Sequence, residues 1–215
     1  MLKNIILCLI LFITPETISY AESNKTAIKQ FIIISAHIHK IPPSLLLEVC
    51  RRESNFVWFS IGDKDNKTIV RNDSGEIIEI EENSSLGICQ ISMNTWKFII
   101  EELAPPSMKI EVYDYLRLMD LDYNSELSAI YLKWLYKRYG NWRMALAAYN
   151  SGHNKSLKFL KNKTKKGSYS MTVYTRWEQN KISFEQNKFI KNTIRKYELE
   201  QRIKKYRKIL QEHKK

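Results

Sequence analysis

Glycine is scarce in this chain. There are six in 215 residues, and none belongs to a Gly-rich loop of the kind that wraps a nucleotide phosphate. Cysteine is scarcer, with three, and one of these, Cys8, lies in the apolar N-terminus, which leaves Cys50 and Cys89 to the body. No set of His or Asp residues falls at ligand spacing, so no metal and no cofactor is expected. There is no internal repeat. Long apolar runs are also lacking after the first, "MLKNIILCLILFI", and that one is short for a membrane span, which takes about 20 residues.

A single lysine precedes most of that run, and "TPETISYAES" follows it, with Ser19 and Ala21 at the small positions a signal peptidase reads. Residues 1–21 therefore read as a secretory signal peptide cut after Ala21, with an uncleaved anchor as the alternative. Cys8 sits inside the run with no small residues before it, which argues against lipid attachment. The mature chain is expected outside the cytoplasm, in the periplasm or cell envelope, where a disulfide can form.

Charge is unevenly spread. The chain carries a net +12. Residues 22–152 hold 15 Lys/Arg against 17 Asp/Glu, whereas 153–215 hold 19 against 5. A near-neutral body thus meets a basic C-terminal part, which suits an anionic wall or membrane surface, or is simply a solvated helix.

The pattern along the chain is mainly helical. Residues 26–40 read as one helix and 44–54 as the next, with Pro42 and Pro43 at its start. The stretch 57–85 changes character: "KTIVRNDSGEIIEIEE" carries two β-branched runs about "NDSG", a hairpin signal. Its acids Glu76, Glu79, Glu81 and Glu82 fit a solvated hairpin better than a metal site. A helix restarts near Met93 with Ser92 or Asn94 as cap, and "DLDYNSELSAIYLKWLYKRYG" is amphipathic, with Leu127, Ile130, Tyr131, Trp134 and Arg138 on one face and Gly140 as C-cap. A short helix from Asn141 ends at Gly152, residues 153–170 read as a linker, and the chain from Phe184 reads as helix to the end.

Three stretches put polar residues where an apolar face should be completed. In "EVCRRESNF", Leu46, Val49, Cys50 and Glu53 share a helical face, so a carboxylate closes an apolar stripe. Arg51 and Arg52 point elsewhere and are poor partners for it. The helix end and desolvation both act to keep such a carboxyl protonated, as a general acid requires; an ordinary helix-end glutamate is the plain alternative. In "SSLGICQI", Gly87 permits a tight turn and Gln90 offers amide groups to sugar hydroxyls, or stabilises the turn. In "ALAAYNSG", small residues such as Ala148 allow close packing, and Tyr149 and Asn150 pair an aromatic ring with an amide, a combination that binds sugars but also occurs at helix ends in cores.

Taken together, "ESNF", "GICQI" and "AAYNSG", in this order and in an exported chain, resemble the soluble lytic transglycosylase domain of bacteria and phages, within the goose-type lysozyme superfamily. The resemblance spans about residues 30–195, and its cysteine-bearing "GICQI" looks most like the branch found in phage particles and secretion systems. It implies a lysozyme-like, mainly α fold; the hairpin segment 57–83 is longer than the minimal family domain has and reads as a small β-hairpin insertion, in a catalytic domain expected over 22–195 with a basic helical extension at 196–215. It also implies cleavage of peptidoglycan glycan strands with 1,6-anhydromuramic acid as product. Glu53 carries over as the single catalytic acid/base; Ser54, Cys89, Gln90, Ala148, Tyr149 and Asn150 match positions around the sugar site. A late family tyrosine aligns with Phe189 in "EQNKFI", which would remove a hydroxyl. Cys50 and Cys89 would lie beneath the groove, as a disulfide or as two buried thiols. None of the three motifs holds a second carboxylate. A hydrolytic muramidase on the same fold would need one, from Asp63, Asp65 or the acids of 76–82. A non-catalytic wall-binding or secretion-assembly protein is a further alternative, with secretion or phage machinery as partner; nucleic acid is not expected in an exported chain.

Overall fold

Two helices open the computed structural model, which describes residues 15–62, 69–71, 77–80, 84–105, 108, 115–180 and 184–212. Helix α1 (Pro15–Ile38) runs unbroken through position 21, and the rest of the N-terminal segment lies outside the described residues. Helix α2 (Pro43–Ser54) starts where the prolines place it: Pro42 is extended and Pro43 sits in the first turn, where a missing N–H is no loss. Ser44, Leu45, Leu46, Leu47, Glu48, Val49 and Cys50 are all buried, so α2 is a core helix up to its last turn.

Short strands follow. β1 (Ile61–Gly62), β4 (Ser85–Leu86) and β5 (Ile91–Ser92) form a three-stranded antiparallel sheet in the order β1-β4-β5. β2 (Ile69–Arg71) and β3 (Ile77–Ile80) pair antiparallel, Ile69 opposite Ile80. This is the hairpin that "NDSG" signals; Glu76, Glu81 and Glu82 lie outside the described residues, as do Asp63 and Asp65.

The remaining described chain is helical. α3 (Met93–Phe98) is capped by Ser92, whose side chain accepts from Thr95 N, and continues as a π-helical turn, Ile99–Leu103. α4 (Leu121–Tyr139) ends on Gly140 in the left-handed region, and α5 (Trp142–Ser151) begins on Asn141, whose Oδ1 accepts from Arg143 N and Met144 N. α6 (Leu157–Asn162), α7 (Tyr169–Asn180) and α8 (Phe184–Glu212) complete the described elements. The segment 153–170, expected as a linker, is therefore built: Ser156 caps α6, and Leu160 is fully buried. A lysine-rich composition masked the single apolar anchor that a six-residue helix needs. Helix α8 crosses the expected boundary at 195/196 without a break, and His37 of α1 still meets Glu198 at 3.3 Å.

The core lies between α2, α4 and α5, with α1 packed on α2 and α4, α7 on α2 and α5, and α8 on α1. Buried polar links fix the packing. Trp177 Nε1 donates to Ser44 Oγ at 3.0 Å, joining α7 to the start of α2, and Trp96 Nε1 donates to Tyr123 OH at 2.9 Å. Among the described residues, no helix is long and apolar enough to cross a membrane.

Cys50 and Cys89 are bonded, closing a sequence separation of 39 residues. A closed loop of that size is worth ~4 kcal/mol through the unfolded chain. Reduction, or the double change Cys50→Ser with Cys89→Ser, should lower the unfolding free energy by roughly that amount in urea titration. A chain whose midpoint does not move under reductant would show that the fold does not lean on this bond.

Candidate active site

The end of α2 is where the chain brings its polar residues together. Glu53 and Ser54 occupy the last turn, and the helix stops at Asn55 and Phe56, both in the left-handed region (φ 53° and 66°). The last carbonyls of a helix repel a carboxylate, so Glu53 has to be held from outside α2. Tyr169, the first residue of α7, does this: its phenol donates to Glu53 Oε1 at 2.5 Å. Arg51 turns away, as helix geometry requires, and pairs with buried Glu48 instead.

Opposite the helix end stands the turn 87–90, tied to α2 twice. One tie is the Cys50–Cys89 bond; the other is Ser54 Oγ, which donates to Ile88 O at 2.7 Å. Tyr149, at the end of α5, donates its phenol to Cys89 O at 2.9 Å. The turn is held from below by Asn124 of α4, a fully buried amide. Its Nδ2 donates to Leu86 O and Leu118 O, each at 2.8 Å, and its Oδ1 accepts from Cys89 N at 2.9 Å. Gly87 makes this approach possible: with φ +78°, a Cβ there would lie 2.1 Å from Leu118 O and 2.4 Å from Asn124 Nδ2.

Gln90 is itself left-handed (φ 53°), a conformation that surrounding structure must enforce. Its two amide protons go to Ser60 O at 2.9 Å and Gly87 O at 2.8 Å. Its donors are thus committed to backbone, and Gln90 acts as a clamp between the turn and the β1 approach rather than as an open donor for a sugar. Cys89 and Ala148 are fully buried; their side chains build the floor and do not reach a ligand. Ser54 is likewise turned inward. Asn150 is exposed beside Tyr149 and available to one.

Phe189 is elsewhere. It lines a separate cleft of about 430 Å³ with Thr26, Lys29, Leu47, Glu48, Arg51 and Phe56. The aromatic residue on the Glu53 carboxyl is Tyr169, twenty residues earlier, and it carries the hydroxyl that the alignment at 189 would have lost. Two residues escaped the sequence reading, and each had a signal. Tyr169, Val173 and Trp177 recur at i, i+4 and i+8, a face whose last two members are buried. Asn124 interrupts the face of Leu127, Ser128 and Tyr131, much as Glu53 interrupts that of α2.

Desolvation raises the phenols of Tyr149 and Tyr169 well above their usual pKa of 10, and the charge of Glu53 beside both adds to it. Both rings therefore stay neutral donors through the alkaline range. A folded-state pKa raised above the unfolded value gives stability that is whole below pH 10 and is lost as the pH climbs past it, because unfolding releases these protons. Spectrophotometric titration should show at least two tyrosines ionising only with alkaline unfolding. Tyr149→Phe and Tyr169→Phe should each remove one of them; normal ionisation of both near pH 10 in the folded protein would refute the arrangement.

Among the described residues, no group of His, Cys, Asp and Glu is placed to hold a metal ion. No curated protein matches the chain. Among solved structures it is similar to an inactive mutant of the lytic transglycosylase Slt from Pseudomonas aeruginosa, at 18% identity and a TM-score of 0.39; the match covers 75% of this chain and 22% of that one. The family model for the transglycosylase SLT domain matches residues 30–172, which takes in Glu53, the turn 87–90, Tyr149 and Tyr169, and the chain belongs to that family.

Proposed function

We propose that this chain is a lytic transglycosylase of the cell envelope that cuts the β-1,4 bond between N-acetylmuramic acid and N-acetylglucosamine in peptidoglycan. The observation that carries the reading is a carboxyl at a helix end, bonded through Oε1 to a neutral phenol. Family membership supports it. Oε1 accepts from Tyr169, and in this reading Oε2 carries the acid proton to the substrate. Protonated Glu53 donates to the glycosidic oxygen, and the substrate's own N-acetyl group helps carry the positive charge. Glu53, now ionised and stabilised by the Tyr169 hydrogen bond, then takes the proton of the C6 hydroxyl. That oxygen attacks C1, the 1,6-anhydro ring closes, and no water is consumed. Asn150 and the ring of Tyr149 border the sugar.

Hydrolysis on the same frame would need a carboxylate to activate water across from Glu53, and the sequence offers Asp63, Asp65 and the acids of 76–82 for that part. Mass analysis of muropeptides from digested peptidoglycan separates the outcomes. The expected product ends in anhydromuramic acid, lighter by one water than the reducing end that hydrolysis leaves. Glu53→Gln should yield neither, with rates down by at least ~1000-fold, as befits loss of the acid/base itself. Reducing ends alone from the wild type would sink the cyclising mechanism, and full activity in Glu53→Gln would sink the assignment of the acid.

A further inference from the structure

The chain has no Asp or Glu between Glu126 and Glu178, yet it carries eleven Lys and Arg there. Six of these, Lys155, Lys158, Lys161, Lys163, Lys165 and Lys166, are exposed and crowd the lobe at 153–168 between α5 and α7. The lobe is rigid. Tyr139 OH donates to His153 O at 3.2 Å, Ser170 Oγ donates to Lys163 O at 2.5 Å, and Leu160 anchors α6 in the core. From this fixed base two large apolar side chains stand out: Leu157, 60% exposed, and Phe159, 39% exposed, with Lys155 and Lys163 placed over the Phe159 ring at 5.8 and 5.4 Å.

We propose that this lobe docks on an anionic lipid surface, with Leu157 and Phe159 entering the headgroup–acyl boundary and the lysines engaging lipid phosphates. A wall polymer in water would take the charge but gives two exposed apolar groups nothing to enter; a bilayer takes both. Lysine ammonium groups held over an exposed aromatic ring join an apolar body to a cationic cap, a combination that an anionic lipid boundary accepts. The lobe separates Tyr149 from Tyr169 in the chain, so docking would bring the Glu53 site close to the membrane face. This goes beyond glycan cleavage and stands or falls independently of it.

The test uses the full chain with Cys8→Ser and Leu157→Cys, which leaves one free thiol for an environment-sensitive fluorophore. Vesicles of phosphatidylglycerol mixed with phosphatidylcholine should shift its emission to the blue. Phosphatidylcholine alone should not, and high salt should reverse the shift. Adding Lys158→Gln, Lys161→Gln and Lys163→Gln should raise the lipid concentration for half-maximal shift by roughly 10- to 100-fold. Absence of a shift on the anionic vesicles overturns the proposal. A shift of equal size on lipid-free peptidoglycan also overturns it, by identifying a wall polymer as the partner.

Discussion

The structure depends on fixing the last turn of one helix. A carboxylate at a helix C-terminus lies where the backbone offers only carbonyls, so Glu53 is placed by what surrounds α2 rather than by α2 itself. The Cys50–Cys89 bond and the Ser54–Ile88 hydrogen bond lock the turn 87–90 against the helix end. Asn124 fixes that turn from α4, Tyr149 joins it to α5, and Tyr169 brings α7 onto the carboxyl. Four elements distant in sequence thus converge on the last turn of α2 and the turn packed against it. Of the four left-handed non-glycine positions among the described residues, three, Asn55, Phe56 and Gln90, fall within this knot, and the fourth, Lys40, follows the end of α1.

The chemistry follows from the same constraint. Two buried phenols close to one carboxyl cannot share its charge, so they remain neutral donors. Tyr169 holds Glu53 through one named oxygen, Oε1. Gln90, Cys89 and Ala148, although close by, are consumed in holding the frame. The groups the proposed reaction would use are correspondingly few: the carboxyl of Glu53, the edge of Tyr149 and the exposed Asn150.

Much of this was legible before the structure. Helix caps at Ser92, Asn141, Gly140 and Gly152 are local, and local chemistry set them. The hairpin about "NDSG" and the apolar stripe ending in Glu53 are periodicities, which a sequence displays openly. The pairing of Cys50 with Cys89 stayed open because spacing alone says nothing of distance. What failed was long-range or masked by composition. Phe189 matched a motif in letters, but its helix faces another cleft. Tyr169 lay in a stretch whose lysines disguised a helix and a built lobe. Gln90 suited a sugar as well as it suited a backbone clamp, and only the positions of Ser60 and Gly87 decide between those uses.

The most direct measurement is amide chemical-shift mapping on the ¹⁵N-labelled Glu53→Gln protein as a muramic acid–glucosamine tetrasaccharide is added. Perturbations should gather on residues 53, 90, 149, 150 and 169 and fade across α1 and α8. Perturbations centred on the Phe189 cleft, or none at saturating glycan, would contradict this assignment.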